Sequence, residues 1–339
     1  MNERNSNVDI IRGFAMLCVV LQHTMLWSTA NFQNEFLFQF VWTLQLPLFM
    51  LISGYVTRYT KSINSRKALW FFFKKRTFAY LLPWSIWSFL IRGLILGKYS
   101  YLDIKWLLWH MDSGYWFLIT IWSISIVYGL VDYISNIIAH TKYIHIISHI
   151  ILFCISLIIL WIIGYVLGLN FLCIKLTLYY LPIYLLGYLY GQFQDWLLKL
   201  RYFELLNNLC LLVCFGSWIA LITRFDFFGV EDTIFFILFR YFTSIIGCIT
   251  ICSLFTGNTV LKECNLLRWT GVHSLEIYLT HYLFLNLIKD APSSSLQSMN
   301  GFILLVVNFT LTILFTITLI RVLQQNSTLN YLLYGKRSF

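Results

Sequence analysis

The sequence predicts an all-α polytopic membrane protein of about ten transmembrane helices, with both termini cytoplasmic. Three observations carry that expectation. The chain is 59% hydrophobic and only 11% charged. Apolar runs of about 18 to 22 residues recur from end to end, the length a helix needs to cross a bilayer. With the N-terminus placed inside, 17 of the 24 Lys and Arg residues fall in inner segments, as the bias of positive charge toward the cytoplasm requires.

The expected spans are 9–29, 37–57, 77–96, 114–134, 146–168, 173–193, 205–223, 233–255, 272–288 and 301–322. The first carries Arg12 and His23, and the second Pro47. An inner connection with seven basic residues, Arg58 to Arg76, leads into the third at Pro83. The loop at 97–113, with Trp106, Trp109, His110 and Asp112, has the pattern of an amphipathic segment on the outer surface. The fourth span opens on Tyr115 and Trp116, a position where aromatic rings settle at the interface. The next three spans are almost wholly apolar. The eighth holds Arg240, which either pairs with Glu231 or Asp232 or lines an acceptor cavity, and the ninth holds Glu276 and His281. A Pro/Ser/Asn loop at 290–300 precedes the last.

One membrane domain over 1–339 is expected, with no separate soluble domain and no internal repeat. The net charge of +10 gives no case for nucleic acid as a partner, because basic inner loops facing anionic lipid account for it. A cleaved signal peptide is not expected, since the first apolar run is too long and contains Arg12. All eight cysteines lack paired metal-ligand spacing. They are expected to pack as small apolar groups, without disulfides and without a metal. His110, His140, His145, His149 and His273 fall near expected surfaces and draw no claim.

Arg12 and His23 carry the chemistry. Eleven residues at about 100° each bring a helix back to within roughly 20° of the same face, about 16 Å further along. Ionisable groups at such depth are costly and usually face a cavity or a partner. A cation near the inner mouth suits phosphate, and an imidazole deeper inside suits proton abstraction from a hydroxyl. Against this, Arg12 can snorkel to the surface, His23 can bond a neighbouring helix, and Asp9 can cap the helix or pair with Arg12.

Asp9-Ile-Ile-Arg12-Gly13, followed by His23, resembles the opening signature of the acyltransferase family 3 integral membrane O-acyltransferases. Four later stretches are similar to family motifs in the same order. They are Pro47 to Tyr55, including Ser53 and Gly54; Lys75-Arg76 ahead of Leu81-Leu82-Pro83; Tyr115-Trp116-Phe117-Leu118; and Ser274 to His281. Many members have a second arginine three residues after the first in the third-helix motif. Here Ala79 holds that place, leaving Lys74 and Lys75 beside Arg76, and lysine lacks the bidentate guanidinium fork.

The resemblance implies a stand-alone O-acetyltransferase of the bacterial cytoplasmic (inner) membrane. Acetyl-CoA would be the donor substrate, and no cofactor would be tightly bound. The acceptor would be a hydroxyl of a cell-surface polysaccharide or its lipid-linked precursor on the outer face. Catalytic roles would fall to His23, Arg12, Asp9, Glu276 and His281, and donor binding to Arg12, Lys75, Arg76, Ser53, Tyr55 and Trp116. Packing alone also explains Ser53-Gly54, and an interfacial aromatic belt explains Trp116. A transporter or flippase of lipid-linked sugars is the alternative, although its matched pair of proline-broken helices is missing from the pattern. A non-catalytic scaffold has no positive signal.

Overall fold

The computed structural model describes residues 6–227, 233–257, 263–288, 296 and 298–336, and all their regular structure is helical. Among these residues the thirteen α-helices are α1 (Ser6–Ser28), α2 (Phe36–Tyr55), α3 (Arg66–Ser85), α4 (Ile104–Trp109), α5 (Trp116–Ile138), α6 (Lys142–Trp161), α7 (Ile174–Leu197), α8 (Phe203–Arg224), α9 (Ile234–Gly257), α10 (Asn265–Val272), α11 (Ser274–Thr280), α12 (Met299–Gln324) and α13 (Ser327–Tyr334). Among the described residues, nine helical stretches are long and apolar enough to cross a membrane. They coincide with nine of the ten expected spans. Glu231 and Asp232, the partners considered for Arg240, lie outside the described residues, as do the basic residues Arg4, Lys262, Lys289 and Arg337.

Two differences from the sequence expectation have clear causes. The third long helix begins at Arg66 and takes in much of the basic connection expected to be loop. Ser65 caps it, its side chain accepting from the Ala68 N–H at 3.2 Å. A capped helix can run beyond the apolar slab, so hydropathy alone places its start too late.

The expected span at 272–288 is not one helix. α10 ends at Val272, α11 covers Ser274–Thr280, a single 3-10 turn covers His281–Leu283, and Asn286 takes a left-handed φ of 57°. Non-helical backbone is tolerated at membrane depth only where protein satisfies its polar groups. α12 supplies that. Asn308 accepts from the Ile288 N–H at 3.0 Å and donates to the Ile288 carbonyl oxygen at 3.2 Å, and Thr312 donates to the Phe284 carbonyl oxygen at 2.9 Å.

The chain forms two compact units. The first comprises Met1–Ile52 and Phe193–Val322. Within it α1 has no Cβ at Gly13, where one would overlap the Leu267 carbonyl oxygen, and α10 has none at Gly271, where one would overlap the Asp9 backbone. Those two glycines let α1 and α10 approach to backbone contact, the small-residue solution to packing in lipid. Gln45 of α2 donates to Gln22 of α1 at 2.9 Å, and Trp218 of α8 donates to Thr43 of α2 at 3.1 Å. Met25, Phe38 and Leu305 close the core between α1, α2 and α12. The outward side of α8 presents Leu205, Leu209, Leu212 and Val213, as a lipid-facing helix does.

The second unit comprises Ser53–Gln192 and Leu323–Phe339. α3 and α5 are joined by a hydrogen bond from Trp122 to Thr77 at 3.1 Å, and Gly54 abuts the α7 backbone at Tyr184. Beyond Pro83 the third long helix widens into a π-type stretch, Ile86–Ile95. In the expected amphipathic loop, Asp103 caps the short α4 by accepting from the Lys105 and Trp106 N–H groups.

Candidate active site

His23 meets the broken segment. Its Nδ1 lies 3.0 Å from Nε2 of His281, and its Nε2 lies 2.8 Å from the Tyr282 hydroxyl. The two imidazoles are nearly parallel, with centroids 5.1 Å apart, and the Tyr282 ring flanks both. His281 is fully buried.

The hydrogen-bond chain fixes the protons of the neutral rings. His281 Nδ1 sits 2.8 Å from the Ile277 carbonyl oxygen, which can only accept, so Nδ1 carries the proton. Its Nε2 must then accept from the Nδ1–H of His23. That leaves the lone pair of His23 on Nε2, where the Tyr282 hydroxyl donates into it. A neutral imidazole whose lone pair meets a hydroxyl is the arrangement a general base needs. His281 stands where a triad has its orienting group, on the nitrogen opposite the reacting one.

The other expected site residues divide between the units. Arg12 and His23 share the unbroken α1, so the stripe inferred from their spacing holds geometrically. Asp9 is buried in the first turn of α1 against Gly271, and Glu276 is fully buried in α11. These four and His281 all belong to the first unit. Ser53, Tyr55, Lys75, Arg76 and Trp116 belong to the second. There Tyr55 bonds Tyr59 at 3.2 Å under the guanidinium of Arg58. Lys75 is exposed, and Arg76 lies over Phe72 and donates to the Tyr80 hydroxyl at 3.4 Å. Trp116 stacks on Tyr180. Tyr282 escaped the sequence reading, because a tyrosine after an apolar run looks like interface packing.

The family model described as an acyltransferase domain, acyltransferase 3, matches residues 5–321. The chain belongs to that family. The match takes in both long-range partners of the imidazole pair, His23 and His281, and nearly the whole helical assembly. With the apolar helices it makes the protein a multi-pass membrane acyltransferase. Comparison with the curated proteins and with the solved structures gives no match.

Proposed function

We propose that this acyltransferase moves an acetyl group from acetyl-CoA to a carbohydrate hydroxyl of a surface polysaccharide or its lipid-linked precursor, with His23 as the base. The supporting observation is the chain Ile277–His281–His23–Tyr282, which leaves His23 Nε2 unprotonated toward a hydroxyl. In the reaction the acceptor hydroxyl takes the place held by the Tyr282 hydroxyl. Its proton passes to His23 Nε2 as its oxygen bonds to the thioester carbon. The C–S bond then breaks, and the imidazolium returns the proton to the departing thiolate, giving free CoA and the O-acetyl ester. His281 keeps the reactive lone pair on the correct nitrogen and holds the imidazolium by its Nδ1–H. Arg12, on the His23 face about 16 Å away, is a phosphate-binding cation for the donor, a distance of the order of a pantetheine arm. Asp9 and Glu276 are supporting groups around that stripe.

The donor enters from the cytoplasm and the acceptor from the outer face of the bacterial inner membrane. The basic 58–76 segment, cytoplasmic under the charge rule, supports this reading. The test is NMR of surface-glycan O-acetyl groups in cells carrying the wild-type chain or His23→Ala at matched membrane abundance. The O-acetyl signal is expected with the wild type and absent with the variant. A variant that restores the signal in full removes His23 from the mechanism.

A further inference from the structure

The hairpin of α5 and α6 holds a second cluster of ionisable groups. Asp132 lies two turns before the end of α5, and His145 and His149 share one face of α6 in its first two turns. The Nε2 atoms of His145 and His149 lie 3.6 Å and 3.4 Å from the same Asp132 oxygen, Oδ1. The three possible ligand atoms all fall within 4.8 Å of one another.

Two of the three groups, His149 and Asp132, are held from behind. His149 is fully buried, and its Nδ1–H donates to the His145 carbonyl oxygen at 3.0 Å. Its lone pair is therefore on Nε2, a buried atom with no hydrogen-bond partner among the described residues. Tyr188 stacks on the ring at 4.7 Å and 8°, fixing its plane. The other carboxylate oxygen, Oδ2, accepts from the Ile63 N–H at 2.8 Å and from Asn136 at 3.1 Å, which leaves Oδ1 for the imidazoles. Outer partners of this kind, on the far nitrogen and the far oxygen, orient metal ligands.

A carboxylate oxygen and a nitrogen lone pair facing each other repel unless something positive lies between them. A shared proton draws such a pair to about 2.7–2.9 Å. Two ligands each roughly 2.0–2.2 Å from one tetrahedral ion stand about 3.4 Å apart, close to both separations found here. Imidazole nitrogen with one carboxylate oxygen is also a donor set suited to zinc and its neighbours, and not to magnesium or calcium. We propose that Asp132, His145 and His149 bind a divalent transition-metal ion of the zinc class. Bound there, the ion ties α5 to α6 and, through Asp132, to the chain at Ile63. The inference does not depend on the acetyl-transfer reading.

The test uses the full-length protein, purified in detergent, stripped with a chelator, reloaded with zinc alone and desalted. About one zinc per chain is expected by elemental analysis, with an upward shift in melting temperature that magnesium does not give. The His145→Ala/His149→Ala double variant should hold only background zinc. Cobalt in the wild-type protein should give the visible absorption of a tetrahedral site, a readout independent of whether the variant folds. Background zinc in the wild type, or cobalt without that absorption, overturns the proposal and leaves the cluster as an ion pair. A folded double variant retaining the wild-type zinc content overturns it equally.

Discussion

Replacing His281 with alanine removes the acceptor that holds the proton of His23 on Nδ1. In the proposed reaction His23 becomes an imidazolium when it takes the proton of the acceptor hydroxyl, and the 3.0 Å bond to His281 then serves a charged donor. Hydrogen bonds to charged groups contribute roughly 1.5–3 kcal/mol. At about 1.36 kcal/mol per factor of ten, His281→Ala should lower kcat roughly 10- to 150-fold. The assay is transfer of labelled acetyl from acetyl-CoA in membranes that carry the acceptor, read at matched protein abundance. KM for acetyl-CoA should not change, because His281 touches His23 and not the donor phosphates. His281→Gln should recover much of the rate, since its amide oxygen can accept the same Nδ1–H. The His23→Ala/His281→Ala double variant should be no slower than His23→Ala alone, because His281 acts only through His23. Wild-type kcat in His281→Ala, or additive losses in the double variant, would refute the orienting role.

Arg12→Ala should raise KM for acetyl-CoA, with Arg12→Lys intermediate because lysine keeps the charge but loses the bidentate fork; unchanged affinity in both variants would move the phosphate site elsewhere. Asn308→Ala leaves the Ile288 N–H and carbonyl without their side-chain partner, at about 0.5–1.5 kcal/mol for each hydrogen bond lost, and should lower the melting temperature of the detergent-purified protein. Reporter fusions should put residue 110 outside and both termini in the cytoplasm; a cytoplasmic residue 110 would reverse the orientation.

What could be seen in the sequence follows from how far each interaction reaches along the chain. The Arg12–His23 stripe was legible because α1 runs unbroken between them, so a count of residues is also a geometry. The nine long helices were legible because each carries its own hydropathy. The 272–288 segment was misjudged because the groups that let it depart from a helix, Asn308 and Thr312, lie on a different helix and look like ordinary polar residues there. The His23–His281 contact spans 258 positions, beyond any local pattern. His281 could be singled out only as an ionisable group in an apolar run, and Tyr282 gave no signal. The spacing of His145 and His149 was visible, but Asp132, the group that gives it meaning, comes from the preceding helix.

The broken segment also sets an order of assembly. His23 enters the membrane with α1, and its partner His281 is synthesised 258 residues later. The stretch after it, from Phe284 to Ile288, takes backbone partners from α12, which is made later still. The broken segment therefore has these partners only once the last long helix among the described residues is in place. By then α1, α11 and the turn after it already carry every expected catalytic side chain, His281 included. The backbone that follows the imidazole pair thus waits for a helix that contributes none of the expected catalytic groups.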